Sequence, residues 1–307
     1  MRVAVLIPCR NEALTIKSVV ERFRRALPHA QLWVCDNLST DATASEALAA
    51  GANVVTETRP GKGQAVWRLF AIVDADVYVL VDGDGTYEAE RAVDMIDVLV
   101  RDRLDMVVGQ RVALESDRRA AYRPGHEWGN RLFAGAMSTM FGFPLTDVFS
   151  GFRVLSARFV RSFPALSRGF EIETELTVHA LDLGLAIREM PMHYGSRPEG
   201  SSSKLNTIQD GFKIAFTVVH LYEQLRPARF FGVVAAVLVA TSLLLGIPVV
   251  LEYFETGLVP RVPTAILASA VMLLAMLSAT CGVILDSVGR GRREEKRLAY
   301  LAFDKVR

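Results

Sequence analysis

Short apolar runs and amphipathic stretches alternate along the first third of the chain. Val3–Ile7 is apolar and β-branched and ends at Pro8, so it predicts a strand. Glu12–Leu27 repeats apolar residues at helical spacing and predicts a helix with one buried face. Further strands are predicted at Leu32–Cys35, Asn53–Thr56, Val77–Val81 and Met106–Val108, and further helices before Gly51, from Lys62 and over Glu90–Leu104. This alternation predicts an α/β fold with a mostly parallel sheet and helices on both faces.

Two long apolar segments follow near the other end. Residues 231–251 and 262–285 contain no charged side chain, and a helix of either length spans a hydrocarbon core of about 30 Å. They predict a transmembrane hairpin, with a buried hairpin in a soluble core as the alternative. The connecting loop 252–261 holds one basic residue, whereas Arg and Lys cluster after residue 285. The positive-inside rule therefore predicts a multi-pass protein of the inner or plasma membrane, with the N-terminal domain and both termini in the cytoplasm.

The segments around the hairpin complete the predicted organisation. Apolar residues of 207–225 share one helical stripe that leads into the first span, which predicts an amphipathic interfacial helix; a core helix of the N-terminal domain would look similar. The last segment is basic, as expected beside an anionic leaflet. The predicted parts are an N-terminal domain at 1–206, the interfacial helix at 207–229, two transmembrane helices within 230–287 and a basic cytoplasmic tail at 288–307.

Charge and cysteine content exclude some classes of protein. The 35 Lys and Arg nearly cancel the 34 Asp and Glu, and no long basic run indicates a nucleic-acid partner. Cys9, Cys35 and Cys281 show neither metal-type spacing nor a disulfide framework, which is typical of a reducing compartment.

Polar clusters follow each of the first four predicted strands. These clusters are Arg10–Glu12, Asp36–Asp41, Arg59–Gly63 and Asp82–Gly85. In parallel α/β sheets, ligands bind beyond the carboxyl ends of the strands, so this edge is the predicted active site.

The residue types at that edge favour a nucleoside diphosphate and a divalent cation. Asp82 and Asp84, with a glycine between them, suit Mg²⁺ or Mn²⁺ whose remaining ligands are substrate phosphates. Asp74–Asp76 has the same spacing but precedes its strand, so it is expected at the opposite edge. Lys62, in a glycine turn that opens a helix, suits a diphosphate, and Asp36 suits a ribose hydroxyl or base N–H. Neither a Walker A loop nor a G-x-G-x-x-G turn is present.

Motifs in a fixed order carry a family resemblance. VLIPCRNE, CDNLSTD, PGKGQAV and VDGDGTY together resemble family-two glycosyltransferases of the GT-A fold. GNRLF, DVFSGFRVL, GFEIETEL and YGSRPEGSSSKL, followed by the hairpin, are similar to the polyprenyl-phosphate group, which includes dolichyl-phosphate mannosyltransferase and bactoprenol glucosyltransferase. The resemblance covers residues 1 to about 230. It implies an inverting, metal-dependent hexosyltransferase that moves one sugar from a UDP- or GDP-linked donor to a polyprenyl phosphate at the cytoplasmic membrane face, for cell-envelope glycan or protein glycosylation.

The same resemblance implies roles for individual residues. Donor-pocket residues would be Pro8, Arg10, Glu12, Asp36, Lys62 and Gly83, with Asp82 and Asp84 on the metal. Ser150 would lie beside the sugar. Acceptor and phosphate contacts would come from Arg111, Arg131, Arg197, Ser203 and Lys204. The sequence departs from the family at Cys9–Arg10 and at Gly85–Tyr87, where many relatives carry an apolar residue and a glutamine.

The remaining functional hypotheses differ in the acceptor that the sugar would reach. A phosphate monoester, with its second pKa near 6, is largely dianionic at neutral pH and needs no general base. A hydroxyl on another lipid or glycan would need one, and Glu173 or Glu175 is the candidate. The alternative is that these two residues are structural, holding Arg131 or Arg153 or capping the site. A non-catalytic nucleotide-sugar sensor is the third hypothesis, although the retained acidic and basic site residues count against it. Whether the chain forms a homo-oligomer stays open.

Overall fold

The computed structural model describes residues 1–112, 135, 146–164, 172–195, 219–220 and 222–303. The chain divides into two compact units. One unit comprises residues 1–214 together with 296–307, and the other comprises residues 215–295.

A seven-stranded sheet forms the centre of the first unit. Its strands are β1 Val3–Cys9, β2 Gln31–Asp36, β3 Asn53–Thr56, β4 Val77–Leu80, β5 Met106–Val112, β6 Arg153–Ser156 and β7 Ile187–His193. Their spatial order is β3-β2-β1-β4-β6-β5-β7. Every neighbouring pair is parallel except those that involve β6, which runs antiparallel to β4 and β5. The predicted GT-A-like α/β class with a mostly parallel sheet is confirmed.

Helices cover both faces of this sheet. They are α1 Ile16–Ala26, α2 Thr43–Ala49, α3 Lys62–Ile72, α4 Arg91–Arg101, α5 Ala157–Ser162 and α6 Ile172–Leu183. Phe23 of α1 and Met95 of α4 share a buried core with Val5 and Ile7 of β1. On the other face, Phe70 of α3 meets the ring of Tyr78 edge-on. The alternation of side chains along each strand supplies both cores.

The boundaries of β1 and α1 differ from those expected. β1 continues through Pro8 to Cys9. Proline is tolerated there because β1 pairs with β4 only as far as Leu6, and beyond that point β2 is its one neighbour. Helix α1 begins at Ile16 rather than Glu12. The Glu12 N–H donates to Thr43 Oγ1 at 2.8 Å and the Ala13 N–H donates to Asp41 Oδ2 at 3.1 Å, which holds this segment against the residues that follow β2.

Two long helices form the second unit, and α8 continues past it. They are α7 Pro227–Thr256 and α8 Val262–Ala302, and both are long and apolar enough to cross a membrane. Small residues let them approach: Ser242 Oγ donates to the Ala268 carbonyl at 2.7 Å, and a methyl on Gly282 would lie 2.9 Å from Phe231 Cβ. The expected spans fall within these helices. Much of the predicted interfacial helix, residues 207–218 and 221, lies outside the described residues.

The last turns of α8 belong to the first unit and close its amino edge, where β5 begins. Tyr300 donates from Oη to Asp105 Oδ2 at 3.0 Å, and the Arg158 Nε donates to Asp105 Oδ1 at 2.5 Å. The Arg158 guanidinium also lies over the Tyr300 ring, and the Arg161 guanidinium lies over the Phe303 ring. The segment expected as a separate basic tail is therefore helical as far as Ala302, and part of it packs against the sheet domain.

Candidate active site

The loops that follow β1, β2, β3 and β4 and the loop that precedes β6 meet at the carboxyl edge of β1, β2 and β4. The antiparallel β6 begins there, with Arg153 opposite both Leu80 of β4 and Val108 of β5. The loop that precedes β6 therefore joins the predicted site. Asp74 lies at the other edge, where its carboxylate accepts from Arg2 Nη1 at 2.9 Å. The expected separation of the two D-x-D motifs is confirmed.

Lys62 connects the two acidic groups nearest the end of β4. Its Nζ forms ion pairs with Asp82 Oδ1 and with Glu173 Oε1, and Glu173 lies in the first turn of α6. Desolvation lowers the pKa of Lys62, but the attraction of the two carboxylates outweighs it and raises that pKa above its ordinary value. Lys62 therefore stays cationic. Sequence spacing alone does not predict this contact, which joins residues 111 positions apart.

Asp84 is buried, and its orientation is set by Thr86. The Thr86 hydroxyl donates to Asp84 Oδ1 at 2.6 Å and the Thr86 N–H donates to the same oxygen at 3.2 Å. Thr86 stands in the segment where many relatives are expected to carry glutamine. Here it acts as a hydrogen-bond donor to the second aspartate of the motif, and this role follows from the two-residue spacing of an Asx turn.

The backbone around Asp82 is closely packed. A methyl on Gly83 would lie 2.5 Å from Cys9 Sγ, and a methyl on Gly151 would lie 2.2 Å from Asp82 Oδ2. Thr15 Oγ1 donates to the Gly83 carbonyl at 2.7 Å. Burial raises the pKa of the Cys9 thiol, so the thiol is neutral and serves as packing beneath the turn.

Asp36, the last residue of β2, and Asn37, which follows it, have different roles. Asp36 is 8% exposed, and its Oδ1 accepts no hydrogen bond from the residues the structure describes. Asn37 is buried and holds the following loop: its Nδ2 donates to the carbonyls of Glu57 and Arg59, and its Oδ1 accepts from the Gly61 N–H at 2.7 Å. Asn37 thus fixes the turn that begins α3 and presents Lys62, a role the sequence analysis missed.

The loop after β1 places the other predicted donor-pocket residues. Pro8 is buried within β1, Arg10 is exposed, and Glu12 is partly buried. The loop is pinned by the Asn11 N–H, which donates to Ser39 Oγ at 2.9 Å, and by the Glu12 N–H, which donates to Thr43 Oγ1 at 2.8 Å. Pro8, Arg10 and Glu12 thus lie at the same edge of the sheet as Asp36 and Asp82.

Arg111 is held in a buried ion pair. Its Nε and Nη2 donate to the two oxygens of Asp147 at 2.8 and 2.7 Å, and its guanidinium lies over the ring of Tyr194. The side chains of the pair are 12% and 5% exposed. The structure therefore shows a structural partner for Arg111, and contact with an acceptor phosphate stays a prediction.

Ser150 and Tyr87 hold the loop before β6. Ser150 is fully buried, and its Oγ donates to the Gly109 carbonyl at 2.5 Å, so its hydroxyl supports the loop rather than facing a ligand. Tyr87 Oη accepts from the Gly151 N–H at 3.0 Å, and burial raises the pKa of Tyr87. Ser150 therefore supports the loop that precedes β6, and its predicted place beside the sugar stays a prediction.

The remaining predicted site residues are Arg131, Glu175, Arg197, Ser203 and Lys204. Arg131, Arg197, Ser203 and Lys204 lie outside the described residues. Glu175 is in the first turn of α6 with Glu173 and is partly buried.

The donor set fits a cation that binds together with a phosphate ligand. Within the described part of the chain, no three His, Cys, Asp or Glu side chains converge on a possible metal position. Asp82 and Asp84 therefore provide at most two protein carboxylates. Mg²⁺ and Mn²⁺ commonly bind through one or two carboxylates plus substrate phosphates, so these residues fit such an ion.

Comparisons with known proteins agree with this fold. The family model for glycosyl transferase family 2 matches residues 4–163. The glycosyltransferase AglJ of Haloferax volcanii is 33% identical over 306 residues, which cover 97% of this chain and 98% of that protein. An uncharacterised protein of Shigella flexneri is 52% identical over 153 residues, which cover 50% of this chain and 94% of that protein.

A solved structure shares the fold. Glucosyl-3-phosphoglycerate synthase of Mycobacterium tuberculosis, crystallised with Mn²⁺, UDP and phosphoglyceric acid, superposes with a TM-score of 0.58 at 23% identity, covering 72% of this chain and 78% of that one. The family match spans more than half of the chain, and AglJ matches nearly all of it. This chain therefore belongs to glycosyl transferase family 2.

Proposed function

We propose that this enzyme transfers one sugar, with inversion, from a UDP- or GDP-linked donor to a polyprenyl phosphate at the cytoplasmic face of the cell membrane. The observation that carries the proposal is the presence, in one chain, of a donor-type site around Asp82, Asp84 and Lys62 and of two helices long and apolar enough to span a membrane. The family supplies the reaction class, and the apolar helices favour a lipid acceptor.

The donor half of the site suits a nucleoside diphosphate sugar. Asp36, with one carboxylate oxygen unpaired among the described residues, would accept from a ribose hydroxyl or a base N–H. Lys62 lies in the first turn of α3, and a helix N-terminus favours a bound anion. Because Asp82, Asp84 and Glu173 outnumber Lys62, a diphosphate would be repelled without an added cation. A bound Mg²⁺ or Mn²⁺ would stabilise the charge on the departing diphosphate.

The acceptor half favours a phosphate over a hydroxyl. Glu173, one of the two candidate bases, is paired with Lys62. A dianionic phosphate oxygen attacks the anomeric carbon without losing a proton, so it needs no base. The chain would then orient the acceptor through cationic side chains, for which Arg111 and Arg131 are the proposed residues.

The end of α8 supports a hairpin topology. Lys296, Tyr300 and Phe303 belong to the same compact unit as residues 1–214, and Lys296 Nζ lies 3.7 Å from Asp182 Oδ2. Residues that share polar contacts lie on one side of a membrane, which requires an even number of crossings between them. The excess of basic residues after residue 285 favours the cytoplasm as that side.

A transfer assay tests the reaction. Full-length protein in proteoliposomes with undecaprenyl or dolichyl phosphate would receive labelled UDP-glucose, UDP-N-acetylglucosamine, UDP-galactose or GDP-mannose with Mg²⁺ or Mn²⁺. We expect one donor to label the organic phase, with the label lost on chelation. Asp84→Asn should abolish transfer. Asp74→Asn is the matched control, because it changes the surface D-x-D motif at the opposite edge, and it should retain activity.

Other products would contradict the acceptor assignment. Label that enters 3-phosphoglycerate, the type of acceptor bound in the M. tuberculosis synthase structure, would indicate a soluble phosphorylated acceptor. Label that enters a lipid or glycan hydroxyl in place of the phosphate would indicate a base-dependent reaction. Binding of a nucleotide sugar with no transfer to any acceptor would support the sensor hypothesis.

Cysteine labelling tests the topology. In intact cells, Leu258→Cys, in the loop between α7 and α8, should react with a membrane-impermeant maleimide. Val288→Cys should react only after permeabilisation. Labelling of both positions from outside would contradict the hairpin.

A further inference from the structure

Arg153, the first residue of β6, is a charged side chain buried in the first unit. It is 0% exposed and is the largest fully buried side chain of the described residues. Its Nε donates to the Ser150 carbonyl at 3.0 Å, its Nη2 to the Val148 carbonyl at 2.7 Å, and its Nη1 to Thr177 Oγ1 at 2.9 Å. Nη1 also lies 3.3 Å from Met106 Sδ. Every one of these partners is neutral.

Stability alone does not account for this arrangement. Burial of a charge without an opposite charge is unfavourable, and well-packed apolar residues often replace buried charges at no loss of stability. Desolvation lowers the pKa of Arg153 to about 10, with Glu173 and Asp147 acting in the opposite direction. The guanidinium is therefore still cationic at neutral pH. What Arg153 provides is a rigid fork with donors in three directions.

Two of those donors fix the loop that touches Asp82. The carbonyls of Val148 and Ser150 both accept from Arg153, and the next residue is Gly151. Gly151 is packed so closely against Asp82 that a methyl would lie 2.2 Å from Oδ2. A shift of this loop would therefore change where the Asp82 carboxylate lies.

The third donor reaches the helix that carries Glu173. Thr177 accepts from Arg153 Nη1 and donates to the Glu173 carbonyl at 2.9 Å. Glu173 in turn pairs with Lys62. One buried side chain thus joins both segments that flank the Asp82, Lys62 and Glu173 cluster.

We propose that Arg153 is a positioning residue for donor binding: it sets the distance between the Gly151 loop beside Asp82 and the first turn of α6, and so places Asp82 and Glu173 around Lys62. Arg153 itself contacts no substrate. The inference rests on the proposed function, because it concerns the donor side of the same site.

Affinity for a nucleoside diphosphate tests the inference without turnover. Full-length Arg153→Lys and Arg153→Met would be titrated with UDP, or with GDP if the unmodified enzyme prefers it, in the presence of Mn²⁺, and thermal unfolding would be followed in parallel. We expect the Kd to rise at least tenfold in both variants. Lysine keeps the charge but not the three diverging donors, so it should not rescue binding.

A matched control separates positioning from stability. Tyr78→Phe also removes buried hydrogen bonds, since Tyr78 Oη donates to the Val73 carbonyl at 3.0 Å and accepts from the Ala75 N–H at 3.1 Å, but it does so at the opposite edge of the sheet. Its melting temperature should fall while its Kd stays within twofold.

Thr177→Val is a milder variant, and it allows a double-mutant cycle with Arg153→Lys. It preserves shape, removes the link to α6 and should raise the Kd three- to tenfold. Combined with Arg153→Lys, it should add less than its own effect, because both act through one contact.

Distinct results would overturn the two proposals. A Kd within twofold for Arg153→Met, or for Thr177→Val if Arg153→Met does not fold, would overturn the positioning role. Recovery by Arg153→Lys would show that charge alone suffices and would also overturn it. If the unmodified enzyme binds neither UDP nor GDP, the proposed function itself fails.

Discussion

Gly151→Ala is expected to lower the activity of this enzyme about 100-fold without unfolding it. The added methyl would lie 2.2 Å from Asp82 Oδ2 and 2.8 Å from Asp82 Cγ, where ordinary contacts are roughly 3.4 Å or longer. The loop backbone is held by Tyr87 and by the Ser150 hydroxyl, so the Asp82 side chain is the part that yields. We expect the carboxylate to move by roughly 1 Å.

The size of the effect follows from that displacement. Misplacing a reacting or binding group by about 1 Å costs about 100-fold in rate, or about 2.7 kcal/mol of transition-state stabilisation. Gly151 is not among the described residues with positive φ, so alanine is compatible with its backbone. The melting temperature should therefore change little while kcat/KM falls about 100-fold.

The assay is the initial rate of sugar transfer by the full-length protein, with two controls. Gly195→Ala makes the same change where the nearest contact would be the Thr86 carbonyl at 3.7 Å, and it should keep activity within twofold. In an Asp82→Ala background, Gly151→Ala should cause no further loss, because the clash is gone. Activity within threefold of the unmodified enzyme, or an equal additional loss in that background, would refute the reasoning.

Three further predictions concern other contacts. Thr86→Val removes the hydroxyl bond to Asp84 and should raise the Mn²⁺ concentration for half-maximal transfer about tenfold; an unchanged value would show that Thr86 does not orient Asp84. Tyr300→Phe leaves the buried Asp105 one donor short and should cost about 1–3 kcal/mol of stability in thermal unfolding, with Kd for the nucleotide unchanged. Burial lowers the pKa of His179 to about 3, so between pH 6.5 and about 3 only the unfolded chain gains its proton. The free energy of unfolding should therefore decrease as the pH falls from 6.5 to about 3, by up to about 1.4 kcal/mol per pH unit. His179→Gln should make this pH dependence less steep in melting experiments.

Local patterns predicted the donor edge because its residues follow their strands directly. Asp36 and Asp82 come immediately after apolar runs, and parallel strands bring such positions together without any knowledge of long-range contacts. The same logic separated Asp74 from Asp82 despite their identical spacing.

Contacts between segments that are distant in the sequence could not be predicted from local patterns. The antiparallel direction of β6 brings Gly151 against Asp82, and the pairing of Lys62 with Glu173 depends on how α6 packs. Arg153 and Ser150 carry the polar side chains typical of a binding loop, yet both point into the protein. Periodicity gives the length of a strand but not its direction in the sheet, so these roles emerged only from the three-dimensional arrangement.

The docking of the last turns of α8 has a consequence for biosynthesis. Asp105 precedes β5, yet its partner Tyr300 is 195 residues later and emerges from the ribosome after both apolar helices. A partly synthesised chain therefore holds a sheet whose amino edge is still open and whose Asp105 carboxylate lacks one of its donors. The sheet domain is completed only after both apolar segments have been made, so a chain that stops anywhere before Tyr300 lacks this closing contact even when both segments are present.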